Sequence, residues 1–587
     1  MHIQLEKYMK KILISLLLIF SIIMSLASCT INIGLQNNSA NDICEHEDID
    51  NDGKCEFCGT TLELCDHIDI DDDGKCEFCG TTMSNGGGET GGTDSGENGG
   101  NNSGTGGNDG GTNGDGCANH KDEDDNGYCD TCEVYVIEIF DFYVLNDLHG
   151  KFTDGDNHPG VDELTTYLKN KYETEDNVII LSSGDMWQGG SESNLTKGLI
   201  ITEWMNELDF VAMALGNHEF DWGEEYIIKN AELAEFPLLA INIYDKSTNK
   251  RVEYCESSVM VELDGVKIGI IGAIGDCYGS ILNTNVADLY FKVGAELTAL
   301  VKAESEKLRK EGADFIIYSL HDGYDNTTSS SGVSSLALSG YYDSELSSGG
   351  YVDLVFEGHT HQRYAFADTY GIYHLQNGGE NKGISHVEVK INYANGNSSI
   401  ITAEFISTST YSGLEDDPII EELLNKYENL IAKGDEVLGK NKSYMDDSVL
   451  EELVAKLYYE FGVEKWGDKY DIVLGFNSSN TRSPYNLAAG NVTYGDLLSL
   501  LPFDNHITLC AIRGSDLKSR IINNTKDGVV AYMPDSRTIE DNKTYYIVVD
   551  TWTSDYSYYR CTVVEKWNEA YFARDLVADY IKKGGLA

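Results

Sequence analysis

The chain has 587 residues, room for roughly three or four domains, and its 41% hydrophobic and 10% aromatic content is enough for sizeable cores. It carries 42 basic against 98 acidic residues, a formal net charge of -56. Such a surface repels nucleic-acid backbones, which need a basic footprint, so no nucleic-acid polymer is expected as a partner, and an anionic substrate has to be held by local positive charge.

At the start of the chain Lys10-Lys11 precede the apolar run Ile12 to Ala27, which ends in Leu26-Ala27-Ser28-Cys29. About 16 apolar residues is short for a bilayer. Small residues before a cysteine predict cleavage and lipidation at Cys29, so residues 1–29 read as a bacterial lipoprotein signal. The mature protein is then expected outside the cell, held to the membrane by its lipid.

One pattern then occurs three times. The first two copies, in residues 44–82, are Cys44-x-His46, Asp48-x-Asp50-x-Asp52-Gly53, Cys55-x-x-Cys58, and Cys65-x-His67, Asp69-x-Asp71-x-Asp73-Gly74, Cys76-x-x-Cys79. The third, in residues 117–133, has Cys117, His120, Asp122-x-Asp124-x-Asn126-Gly127 and Cys129-x-x-Cys132. Three cysteines cannot close into disulfides within a copy, whereas Cys3His is a closed tetrahedral zinc set. A module of this size buries no core and needs such a staple. Disulfides between copies are the alternative, which an oxidising compartment permits. The Asp-x-Asp-x-Asp-Gly stretch also resembles a calcium loop, but only the third copy has a carboxylate at the twelfth position, Glu133, so calcium is disfavoured. Residues 83–116, almost all Gly, Ser, Asn, Thr and acids, read as a flexible tether.

Beyond Glu133 buried-strand patterns alternate with helical ones. Five runs, Ile137 to Leu145, Val178 to Leu181, Val211 to Leu215, Phe315 to Leu320 and Val352 to Phe356, each end in a polar cluster. The clusters are Asn146-Asp147-Leu148-His149-Gly150, Ser183-Gly184-Asp185, Gly216-Asn217-His218-Glu219-Phe220-Asp221, His321-Asp322-Gly323 and Gly358-His359-Thr360-His361. Loops at the carboxyl ends of strands in an α/β sheet gather at one place. Mixed imidazole and oxygen donors suit zinc, manganese, cobalt or iron, and seven of them suit two ions that share a carboxylate.

In order and composition these clusters resemble the calcineurin-like metallophosphoesterases, and Gly-Asn-His-Glu-Phe-Asp is typical of their 5'-nucleotidase branch. The resemblance runs from about residue 138 to the C-terminus. It implies a two-sheet α/β/β/α sandwich over residues 136–411, a connecting helix over 416–434 and a smaller mixed α/β substrate domain over 435–587. It also implies that Asp147, His149 and His361 hold one metal and that Asn217, His321 and His359 hold the other, with Asp185 bridging. Two such cations clamp a phosphate and lower the pKa of bound water, so that hydroxide attacks phosphorus in line. His218 would face the phosphoryl oxygens, and Asp221 would orient its ring and favour the protonated form. Asp221 also suits a helix N-cap, and the two roles can coexist.

Helical spacing of Ile419, Ile420, Leu423, Leu424, Tyr427, Leu430 and Ile431 predicts one amphipathic connecting helix. In the domain beyond it the resemblance implies nucleotide contacts from Asn477 and Arg482 and base stacking on Phe503, with Asp555 on the ribose and Trp552 or Tyr556 as a second ring. The chain departs from the family here: Ser478-Ser479-Asn480-Thr481 replace glycines, an upstream arginine pair is missing, and Thr553-Ser554-Asp555-Tyr556 replaces a glycine-rich motif. Cys255, Cys277, Cys510 and Cys561 either pair or stay as buried thiols. The expected activity is a 5'-nucleotidase. Its alternatives are a 2',3'-cyclic nucleotide phosphodiesterase or nucleotide-sugar hydrolase on the same fold, separable by substrate, and a non-catalytic surface binding protein, separable by ligand retention without turnover.

Overall fold

The computed structural model describes residues 120–155, 159–328, 334–338, 342–478, 486–524, 529–567 and 571–586. The signal segment with Cys29, the first two Cys/His modules, the tether, Cys117 and Arg482 lie outside the described residues.

Twelve strands form the two sheets of the larger domain: β1 Ile137–Leu145, β2 Val178–Ser182, β3 Ala212–Ala214, β4 Leu238–Leu239, β5 Ser258–Leu263, β6 Val266–Ile274, β7 Phe315–His321, β8 Leu354–Glu357, β9 Arg363–Ala367, β10 Tyr373–Asn377, β11 Gly383–Asn392 and β12 Asn397–Ser407. One sheet runs β12-β11-β1-β2-β3-β4 and the other β9-β10-β8-β7-β6-β5. Their central strands are parallel, and Val178–Ser182 is buried along its whole length because both faces are covered. Phe140, Phe142, Val144, Ile179 and Leu181 of the first sheet pack on Ile268, Ile270, Phe315, Ile317 and Phe356 of the second. Helices cover the outer faces, for example Ala295–Lys310, whose Leu297, Val301 and Leu308 bury against Ile316 and Tyr318. The result is the α/β/β/α order expected from the sequence.

Register matters for function. Leu145 pairs with Ser182 and Ser182 with Met213 in one sheet, while Leu320 pairs with Glu357 and His321 with Ile274 in the other. All five expected loops therefore leave the sandwich at one edge.

The connecting segment differs from expectation. The single helix expected over 416–434 is three pieces: helices Pro418–Lys426 and Glu428–Ile431, then a 3-10 turn Ala432–Asp435. Asp417 caps the first through Ile419 N, and the break comes at Tyr427, which leaves helical geometry at φ -97°, ψ 11° with its ring 1% exposed. Lys426 ties the same point to Glu203 at 2.7 Å.

The smaller domain has a five-stranded sheet, from β13 Ile472–Ser478, β14 Ile507–Arg513, β15 Val529–Tyr532, β16 Thr544–Asp550 and β17 Thr562–Lys566, in the order β15-β13-β16-β14-β17. The helix Asp447–Trp466, capped by Asp446, buries Leu450, Val454, Tyr458 and Phe461 on one face of it. Leu517 and Ile521 cover the other face. All four cysteines of the two domains are free thiols, with Cys561 half-buried and the others buried. Among the described residues no helix is long and apolar enough to cross a membrane.

Candidate metal centre

The side chains expected as ligands come from five loops, and the fold gathers those loops at one edge of the sandwich. His149 Nε2 and His361 Nε2 lie 3.0 Å apart, at 4.0 and 3.4 Å from Asp147 Oδ1. Asp147, Asp185 and His321 form a second group, with His321 Nε2 3.1 Å from Asp185 Oδ2. The His359 ring stands 5.6 Å from that of His321, and its backbone N–H donates to both Asp147 oxygens at 3.0 and 2.9 Å. Asn217 is 1% exposed in the loop after β3, whose next residue, His218, donates its N–H to Asp185 Oδ1 at 2.8 Å.

The backbone is strained where these side chains leave it. Asp147, His149, Asp185, His359 and His361 all have φ between +50° and +68°. Such left-handed non-glycine residues cost about 1 kcal/mol or more each and persist where surrounding contacts over-determine them. Here Asp147 N bonds Gly184 O at 2.9 Å and His149 N bonds Asp185 O at 3.0 Å. Gly216 permits the closest approach: a Cβ there would lie 2.3 Å from Asp185 Oδ1.

The donor set fits divalent cations. His149 Nδ1 is bound to Gln188 O at 3.0 Å and His321 Nδ1 to Ser183 O at 2.6 Å, which leaves each Nε2 to face the centre. His321 Nε2 and Asn217 Oδ1 are buried and make no aligned hydrogen bond, a costly state unless a cation takes their lone pairs. Electrostatics point the same way. Burial alone would lower the His321 pKa, yet Asp185 and Asp147 outweigh it and raise it to about 10. Asp185 is held well below the carboxylate range, burial being overcome by His321 and His218. The two carboxylates thus demand positive charge between them.

His218 stands beside this centre, its ring 5.2 Å from His149 and its Nδ1 2.7 Å from Asp221 Oδ2. Asp221 is not the expected helix N-cap: the next helix, Glu224–Leu233, starts at Gly223 without a side-chain cap. On its other side His218 stacks on Phe503 of the smaller domain, centroids 5.8 Å apart. Those two rings, with Asp221, Leu282, Asn285 and Trp552, line a cleft of about 160 Å³ between the domains. An adjoining cleft of about 320 Å³ includes Asp555, whose carboxylate accepts Asn283 N at 2.9 Å. Trp552 is the second ring at the first cleft, with Tyr556 stacked on it at 5.0 Å. Asn477 is not among the residues that line either cleft; it is fully buried on β13 with both side-chain polar atoms unpaired.

Sequence reasoning assigned no role to three residues that build the site. Glu219 is fully buried and its carboxylate accepts the N–H groups of Asp185, Met186, Trp187 and Gly216. Cys277 donates to His321 O at 3.1 Å and lies in a ligand-like group with His321 and His359. Lys197 reaches across the cleft to Asp504 at 2.9 Å. The third Cys/His module sits elsewhere, with His120, Cys129 and Cys132 mutually close.

Residues 140–363 match the calcineurin-like phosphoesterase family, and residues 431–533 match the 5'-nucleotidase C-terminal domain. An apyrase of Tabanus yao is 26% identical over 414 residues, which cover 64% of this chain and 71% of the relative. Protein UshA of Yersinia enterocolitica is 26% identical over 463 residues, 69% of this chain and 81% of the relative. A crystal structure of a 5'-nucleotidase precursor from Thermus thermophilus matches with a TM-score of 0.59 at 16% identity, covering 76% of this chain and 96% of that one, and so shares the fold.

Proposed function

The chain is a phosphoester hydrolase of the metallophosphoesterase family, a calcineurin-like phosphoesterase domain joined to a 5'-nucleotidase C-terminal domain, and on that premise we propose that it releases phosphate from nucleoside monophosphates outside the cell. The observation that carries this reading is the place of the His218 ring, between His149 of the ligand cluster and Phe503 of the smaller domain. A monophosphate ester bound there has its phosphoryl group on the cluster and its base near an aromatic face, which accepts any base.

Asp147, His149 and His361 would hold one divalent cation and Asn217, His321 and His359 another, with Asp185 reaching both. Zinc, manganese, cobalt or iron suits these donors. Bound there, the cations supply positive charge toward the phosphoryl oxygens and make a coordinated water acidic. The chain's own contribution is orientation and proton control. Asp221 holds the Nδ1 side of His218, so Nε2 is left for a phosphoryl or leaving-group oxygen. Phe503 and Trp552 offer the apolar walls for the base, and Asp555 the carboxylate for the ribose. Arg482 remains a nucleotide contact by resemblance alone. The cell-surface location rests on the Ile12 to Cys29 segment, read as a lipoprotein signal.

The test is chromatographic. Manganese-loaded protein given AMP, UDP-glucose and 2',3'-cyclic AMP is expected to turn over AMP fastest, releasing adenosine and phosphate. Turnover confined to the cyclic ester or the sugar nucleotide would overturn the monophosphate assignment and leave the hydrolase.

A further inference from the structure

The third Cys/His module packs on the phosphoesterase domain far from the catalytic cluster. His120 Nδ1 lies 3.4 Å from Cys132 Sγ, and His120, Cys129 and Cys132 each offer a ligand atom within 4.8 Å of the others. Cys129 is 1% exposed, and its Sγ accepts the Lys121 N–H at 3.5 Å, a contact that favours thiolate. One imidazole and two thiolates on a tight turn form a soft donor set of the zinc type. The remaining thiol of the repeat, Cys117, lies outside the described residues.

The aspartates of this module do other work. Asp122, 2% exposed, accepts the N–H groups of Asn126 at 3.0 Å and Gly127 at 2.7 Å, and Asn392 Nδ2 at 2.8 Å. Asp125 Oδ1 accepts Asn392 Nδ2 at 3.0 Å and Asn395 Nδ2 at 3.1 Å. Both oxygens of Asp122 are thus engaged in shaping the turn and tying it to residues 392–397, the link between β11 and β12. Val136 and Cys129 bury there against Cys132, Tyr393 and Ala394.

We propose that His120, Cys129 and Cys132 hold a zinc ion that clasps this module to the β11–β12 turn as a fixed mount. Its position gives the mount a purpose. Asn392 pairs with Ile137 at the start of β1, whose other end leads into Asp147. Nine extended residues span about 30 Å. The module therefore sits at the end of β1 opposite the one that leads into the catalytic edge.

The experiment uses the full chain, loaded with zinc, dialysed and assayed for metal, as wild type, His120→Ala and Cys132→Ser. Each variant is expected to retain about one zinc fewer per chain. Cobalt loading gives a second readout, since thiolate-to-cobalt absorbance is expected to fall in both variants. Amide exchange over residues 392–397 is expected to quicken in His120→Ala. Wild-type metal content and cobalt absorbance in both variants, or a disulfide mapped to Cys129 or Cys132 in the native protein, would overturn the zinc site. Unchanged exchange would overturn the mount. None of these readouts depends on the hydrolytic activity.

Discussion

The carboxylate of Glu219 holds two ligand-bearing loops in register, because it takes N–H groups from Asp185, Met186 and Trp187 on one and Gly216 on the other. Burial, then the charge of Asp185, push its pKa up to about 7, while His321 and the N–H donors pull the other way. Glu219→Gln turns an acceptor into a partial donor facing N–H groups. It is expected to weaken metal binding about 10- to 100-fold, measured by chelator competition. Unchanged affinity would contradict this positioning role. The residue shows what sequence can carry at this scale. His218 and Asp221 were legible as a pair because they are three apart and chemically matched. Glu219 was not, because most of its partners are backbone groups more than thirty residues away, which no side-chain pattern records. Asn477 is the converse: resemblance placed it on the nucleotide, and the fold buries it on β13, outside the residues that line the two clefts.

At the scale of elements, the strands that carry ligands were legible because central parallel strands are continuous apolar runs, and each run ended where its polar cluster began. Ile137–Leu145 agrees to the residue, and the other four shift by one or two residues at one or both ends. The sheet orders were not legible, since pairing is non-local. The break at Tyr427 was hidden too, because no Gly or Pro marks it and the apolar spacing continues through it. What fastens the two domains was equally absent from the pattern. Asp504 sits between Lys197 of the phosphoesterase domain and Arg574 of its own, and both hydrogen-bond to it. Burial would raise the Asp504 pKa, but Lys197 and then Arg574 hold it well below the carboxylate range. A depressed carboxyl stabilises the fold above its unfolded pKa of about 3.9, and that contribution is lost as pH falls from there through the folded value. Asp504→Asn is therefore expected to cost about 3 kcal/mol at neutral pH, because it leaves Arg574 buried without its partner. The Tm difference from wild type should shrink as pH falls below about 4. A difference that stays constant with pH, in paired thermal scans, would show that the charge is not what matters.

At the scale of the whole molecule, a chain of net charge -56 has to bring an anion to its surface, and the described fold concentrates imidazoles and cation-seeking carboxylates at one edge of the sandwich. On the proposed function, the cluster is a metal site at which phosphoesters are hydrolysed with His218 as proton donor. The most direct measurement is phosphate release from AMP by metal-stripped protein titrated with manganese, beside His218→Asn under the same conditions, with bound metal counted in both. Stripped protein is expected to be inactive, with activity rising as metal binds. His218→Asn should bind as much metal while its kcat falls about 10²- to 10⁴-fold. Wild-type protein that fills with metal yet releases no phosphate, or a His218→Asn variant as fast as wild type, would contradict it.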